Sequence, residues 1–302
     1  MKNRTHPFLI LTLLFVSHFS TNAQDLLKKL DKEHKDTPQY KIATFKTTRI
    51  GLGHSIETRK KGTLEISLYN RYWDKPNTQS QRFLADEVNT RYGLSYSFSN
   101  DFTVGFGYAN FDKISDGFIK YKLVKQRVHD KKSPLSITLV QSLSHRKFDN
   151  ANTNLYSPRS SENKYSFTTQ ALIARKFSPE LSLQVSPSFV YRASSNNNNN
   201  PNAQFAIGFG GRHKINTHTS IVSEYFYVVN PVKSIDTFNS FLIGINWEVS
   251  DLMLQFHLTN ARNFAEDTFI TETANNFNFK DPNLHFGFNA TFILHTKKRT
   301  FK

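Results

Sequence analysis

The chain has no cysteine among its 302 residues. That excludes a disulfide frame, a thiolate metal site, haem attachment through a CxxCH pair and a lipid-anchored N-terminal cysteine. Long apolar runs are also missing. Beyond the N-terminus no segment stays apolar for the roughly 18 residues that a membrane helix needs, and mean hydropathy is negative. Averaged hydropathy is a poor guide for one class of protein, because the strands of a membrane barrel alternate lipid-facing apolar with lumen-facing polar residues and average to polar.

What is present begins with an export signal. "MKNRTHPFLILTLLFVSHFSTNA" carries Lys2 and Arg4, a short apolar run from Phe8 to Val16, and small residues ahead of a cleavage point after Ala23. The mature chain keeps a net charge of +13, the whole-chain +15 less those two basic residues. Such a surplus favours anionic partners, which at a bacterial envelope means lipopolysaccharide phosphates or acidic solutes before nucleic acid.

From Gly62 onward one pattern dominates. "DFTVGFGYANF" places Phe102, Val104, Phe106 and Tyr108 on one face of a strand and Thr103, Gly105, Gly107 and Ala109 on the other, a period of two. Twelve such strands are predicted: Thr63 to Tyr72, Val88 to Phe98, Phe102 to Tyr108, Gly117 to Lys125, Leu135 to His145, Tyr165 to Lys176, Leu181 to Arg192, Ala203 to Ile215, Thr219 to Val228, Thr237 to Val249, Leu252 to Thr259 and Leu284 to Leu294. Most approach the 9 to 11 residues that cross an outer membrane when tilted. Short and long links alternate between them, the exception being Gln126 to Pro134, which is long where a tight turn is due. A Greek-key sandwich has no reason to sort its links this way, whereas an outer-membrane barrel has brief periplasmic turns and longer external loops. The Asn196 to Asn200 tract falls in one of those loops.

The fold predicted is therefore all-β: a closed antiparallel transmembrane barrel of about twelve strands. It divides into a signal peptide (residues 1–23), an N-terminal segment (24–61) and the barrel (62–302). Within the N-terminal segment "DLLKKLDKEHKD" suits a short amphipathic helix and "YKIATFKTTRI" a strand. That segment either plugs the lumen or stays outside it to dock a periplasmic partner. Tyr72, Tyr108, Tyr165, Tyr191 and Tyr227 gather at the loop ends of their strands, as an interfacial girdle does. Pro187 lacks the N–H that a closed ladder uses, so a bulge is expected there.

The inward register selects Glu65, Arg71, Arg91, Lys120, Lys122, Arg192, Arg212, Glu224 and Glu248 as lumen residues. Arg71 and Arg91 flank one hairpin and should repel unless an anion, a carboxylate or water intervenes. Rings of Lys and Arg are how anion pores select. Other clusters suggest less. Ser144 and His145 are adjacent and point to opposite faces, and His54, Ser55 and Glu57 in "GHSIE" lack the spacing of a triad. His257 and His285 face inward without a third ligand. No catalytic residue, metal or cofactor is assigned.

The stretch "ATFKTTRIGLGHSIETRKKGTLEISLYNRY" resembles an uncharacterised domain-of-unknown-function family of exported β-barrel proteins. Its pattern has FK-x-TR, HS-x-E and KG-x-LE, here Phe45-Lys46, Thr48-Arg49, His54-Ser55, Glu57, Lys61-Gly62 and Leu64-Glu65. The resemblance implies an outer-membrane barrel and carries over no catalytic residue and no substrate. The expectation is a small passive channel in a Gram-negative outer membrane, embedded in lipid and lipopolysaccharide, with mild preference for anionic solutes. The alternative is a non-conducting scaffold that binds through its external loops or through residues 25–61.

Overall fold

Alternation of small or polar with apolar residues leaves each segment one way to satisfy both of its faces, and all twelve predicted strands form. A computed structural model of the chain describes residues 39–73, 86–111, 113–128, 133–147, 165–192, 201–233, 235–277 and 284–296. The chain divides into residues Met1–Tyr40, of which only the last two are described, and Lys41–Lys302. The expected signal peptide, the helix expected over Asp25 to Asp36 and the Asn196 to Asn200 tract lie outside the described residues.

In order the strands are β1 (Thr63–Trp73), β2 (Glu87–Ser97), β3 (Phe102–Ala109), β4 (Ile114–Val124), β5 (Ser136–Arg146), β6 (Tyr165–Lys176), β7 (Leu181–Arg192), β8 (Ala203–Lys214), β9 (Thr219–Val228), β10 (Ser240–Val249), β11 (Leu252–Thr259) and β12 (His285–His295). Each is antiparallel to its neighbour in sequence, and β1 pairs with β12 to close the barrel. Closure leaves no unpaired backbone edge to meet lipid. One helical turn, α1 (Glu266–Thr271), sits in the β11–β12 link.

The outward face is apolar: Ile66, Leu94, Phe106, Phe205, Ile245 and Trp247 are all open to the surroundings. So broad an exposed apolar band belongs against hydrocarbon. Tyr108, Tyr165, Tyr191 and Tyr227 are exposed at the long-link end, and Tyr72 stacks on Phe286 at 6.3 Å.

Gly105 and Gly107 face inward because their neighbours need the room. A Cβ at Gly107 would collide with the Arg91 guanidinium, and one at Gly105 with the Phe118 ring. Gly107→Val should therefore destabilise the barrel by about 1–3 kcal/mol through overpacking, read as a lower temperature for loss of the folded band in heat-modifiable gel migration. Gly211→Ala is the control, since its nearest neighbour would be Leu183 Cδ2 at an ordinary 3.5 Å.

Several local expectations change. No bulge forms at Pro187: the β6–β7 register is the same on both sides, from Gln170↔Ser188 to Ile173↔Val185, with pairs missing between them. Pro187 stays paired with Ile207 on the β8 side, so the lost N–H interrupts one ladder without shifting it. The register shift occurs instead between Lys122 and Val124, facing β5. Strand β4 starts three residues earlier than predicted, because Asp116, just ahead of the predicted start, points into the lumen and binds Arg91. Residues 40–50 form no strand, and Arg49 makes an isolated bridge with His54. With the barrel closed there is no free edge for residues 40–50 to join, so their backbone bonds to inward side chains instead.

The long Gln126 to Pro134 link has a use. Lys41 N donates to Gln126 O at 2.8 Å, and Lys176 Nζ donates to Ile42 O at 3.0 Å. The chain enters the barrel over this link.

Candidate functional site

A twelve-stranded barrel is roughly 24 Å across between backbones at a strand spacing of about 4.8 Å and a tilt of about 40°. Wall side chains alone do not fill that width. Two further pieces of chain do so here, residues 43–57 and helix α1. Phe45, Ile50, Leu52 and Ile56 from the first, with Phe269 and Ile270 from the second, share one apolar cluster with Val140, Leu172, Ala206, Val222, Phe226 and Leu242 of the wall. These wall residues all belong to strands β5 to β10, so that half of the lumen is greasy.

The plug backbone is held by side chains of the wall. Glu224 accepts from Leu52 N at 2.5 Å and from Gly53 N at 3.1 Å. Gln184 accepts from Ile56 N at 2.9 Å and donates to His54 O at 2.8 Å. Gln255 donates to Ile50 O at 2.8 Å, and Thr138 to Ile56 O at 2.9 Å. Lys120 donates to both Thr48 O and Glu57 O at 2.9 Å. Arg212 donates to the carbonyls of Ala43 and Thr44 at 3.3 Å. Buried backbone groups left without such partners would each cost about 1–3 kcal/mol, so the inward polar residues are what make an irregular segment tolerable inside the barrel.

Charge is also matched between pieces. Arg49 of the plug donates to Glu266 of α1 at 2.6 Å, and His54 Nε2 lies 3.1 Å from the same oxygen. Burial and the Arg49 guanidinium push the His54 imidazole down to about 3, so it is neutral at neutral pH. Burial opposes ionisation of Glu266, yet Arg49 outweighs it and holds the carboxyl below its usual range. Glu65 takes Arg59 at 2.7 Å and Thr48 at 3.0 Å. Lys122 pairs with Glu57 at 3.1 Å, and Glu248 with Lys46. Arg192 and Arg146 both reach Glu272, each at 3.1 Å.

All nine inward residues read from the sequence thus point into the lumen, and most of them touch plug or link residues. Arg71 and Arg91 are kept apart by chemistry local to each. Arg91 makes a two-pronged bond to Asp116, with Nε to Oδ1 at 2.8 Å. Arg71 donates to Asn289 Oδ1 at 2.9 Å and lies 4.8 Å from the centre of the Phe264 ring. Breaking one member of a buried pair is expensive, so Asp116→Asn should cost about 3–5 kcal/mol, measured as a shift in the urea midpoint of refolding. A double change to Arg91→Met with Asp116→Leu should recover most of it.

The other clusters do not assemble nucleophile and base. Ser144 is inward and donates to Asp267 Oδ1 at 2.7 Å, while His145 is outward, against Tyr165. Ser55 donates to Thr47 O at 2.5 Å and accepts from Glu57 N at 3.1 Å. His257 and His285 are buried as expected, with His285 Nε2 beside Asn275 Nδ2 at 2.6 Å. Among the described residues no three His, Asp or Glu side chains are grouped as a metal site would need.

Sequence reasoning missed Asp116, Arg146 and the carboxylates Glu266, Asp267 and Glu272. The signal for the filled interior was nonetheless present: "ALIA" in β6 and "FLIGI" in β10 are apolar on both faces, which a strand between lipid and water has no reason to be.

The backbone is similar to three solved outer-membrane proteins. These are the KdgM porin (10% identity, TM-score 0.46, covering 77% of this chain and 99% of the porin), the NanC porin (7%, 0.45, 78% and 100%) and an outer membrane channel from Pseudomonas putida F1 (11%, 0.44, 79% and 98%). No curated protein matches the chain. A family model described as "Membrane bound beta barrel domain" (DUF5777) matches residues 45–294, from the third residue of the plug to the next-to-last of β12, and this chain belongs to that family.

Proposed function

We propose that this chain is an outer-membrane barrel of a Gram-negative bacterium, exported by its N-terminal signal, that passes small anionic solutes when the segment inside it moves. The observation that supports this most directly is where the lumen's charges come from. The wall contributes Arg71, Arg91, Lys120, Lys122, Arg146, Arg192 and Arg212 against Glu65, Asp116, Glu224 and Glu248. The carboxylates that offset the surplus, Glu266 and Glu272, come from the β11–β12 link, while the plug brings Glu57 together with Lys46 and Arg49. Withdrawing those pieces leaves a basic passage, which raises the local concentration of anions. Lipopolysaccharide phosphates are the neighbours this reading gives to basic groups at the external rim.

The apolar packing of Phe45, Ile50, Leu52 and Ile56 favours a second reading, a permanently filled scaffold that binds through its long links. Reversal potentials of the barrel freed of residues 24–57, in planar bilayers under a salt gradient, decide between them. An anion bias that falls when Arg71, Arg91, Lys120, Lys122, Arg192 and Arg212 are changed to Gln supports the channel. An unchanged reversal potential removes the selectivity, and no current from a folded barrel in any plug state leaves the scaffold.

A further inference from the structure

Arg146 ends β5 and Arg192 ends β7, so both stand at the long-link mouth of the barrel, with β6 between them. One carboxylate serves both. Glu272, just past α1, accepts from Arg146 Nη2 through Oε2 at 3.1 Å and from Arg192 Nε through Oε1 at 3.2 Å. Arg192 also binds Gln204 and Thr271. Arg146 Nε is buried and has no hydrogen-bond partner among the described residues. Two guanidiniums around a single carboxylate make a bidentate anion site with donor capacity to spare.

We infer that Arg146 and Arg192 form a binding site for a small solute bearing two or more carboxylates, and that Glu272 occupies the site as an internal stand-in until such a solute displaces it. The solute class follows from competition. A tethered carboxylate acts at an effective concentration on the order of millimolar, so a free monocarboxylate has no advantage over it. A second carboxylate gives the advantage, because it reaches the unused Arg146 Nε. Displacing Glu272 also loosens α1, and α1 carries Glu266, the partner of Arg49 and His54 in the plug. Solute capture at the mouth is thereby linked to release of the plug. This names the solute class for the channel proposed above, and rests on that reading in taking the lumen as the route.

Because the chain has no cysteine, Thr268→Cys places a single thiol in α1 at a fully buried position. The refolded protein is treated with a membrane-impermeant maleimide in citrate or in chloride at equal ionic strength. At citrate about ten times its dissociation constant, labelling should be roughly tenfold faster than in chloride. Changing Arg146 and Arg192 to Gln should abolish the difference, and Glu272→Gln should speed labelling in both salts. Equal rates in citrate and chloride overturn the proposal, as does a citrate effect that survives loss of both arginines. Should Thr268→Cys not fold, calorimetric titration of citrate into the unsubstituted protein decides: the proposal requires binding that Arg192→Gln removes, and absence of such binding overturns it. Neither readout depends on ion current, so a barrel that conducts once unplugged and ignores citrate sinks this site and leaves the channel standing.

Discussion

Removing residues 24–57 from the mature protein should turn a silent barrel into a conducting one. Wild-type protein in a planar bilayer should show no steady current, because Phe45, Ile50, Leu52 and Ile56 fill the apolar half of the lumen. Among the described residues, a void lined by Arg49, His54, Glu65 and Arg91 on the more polar side holds about one water. Eight strands enclose an interior that their own side chains fill, and sixteen to eighteen leave an aqueous channel. Twelve lie between, so taking out a segment this size leaves a passage of small-solute width. The wall should survive the loss, since each strand keeps both neighbours in register. Heat-modifiable migration checks folding and single-channel recording checks conduction. A folded, silent variant would show that α1 and the wall fill the lumen by themselves, and the scaffold reading would replace the channel.

The second large effect is expected at Glu224. Its carboxylate receives two successive plug amides, from Leu52 and Gly53, the kind of concave backbone that binds anions. The close approach is possible because Gly51 and Gly53 bear no side chain: a Cβ on the first would press on Leu242, and one on the second on Phe226. Hydrogen bonds to a buried charged group contribute about 1.5–3 kcal/mol each and are not additive. Glu224→Ala should therefore release the plug by roughly 3 kcal/mol, about a hundredfold in population. Hydrogen exchange at the Leu52 and Gly53 amides reads this directly, and open probability in the bilayer should rise in parallel. Glu248→Gln is the contrast. Its partner Lys46 and the carboxylate itself are 28% and 30% exposed, and a pair so open to solvent contributes about 0–1 kcal/mol. Equal effects from the two substitutions would mean that Glu224 is not the clamp.

Much of this was readable in advance, and unevenly so. Strand positions came from a period of two that each strand carries within itself, and Tyr165–Lys176, Leu181–Arg192, Thr219–Val228 and Leu252–Thr259 form with the predicted ends. The errors lie where a residue answers to something across the barrel. Asp116 looks like a turn former until Arg91 is seen beside it. Strand β10 begins at Ser240 rather than Thr237, because Phe238 N donates at 2.8 Å to Thr273 O of the link that carries α1. Arg146 lies one residue past the predicted end of its strand, and its partner Glu272 sits in a link whose sequence shows no strand period at all.

The sequence by itself determined which face each strand residue takes, and with it a closed barrel, greasy outside and rich in Arg and Lys inside. That much is local, because in an extended chain alternate side chains must point to opposite sides. Only the tertiary structure decided what the lumen holds. Leu52 meets Glu224 across 172 positions of sequence, and Arg49 meets Glu266 across 217. No periodicity spans such distances. Which carboxylate neutralises which arginine, and whether the interior is water or chain, depends on where closure of the barrel brings these segments together.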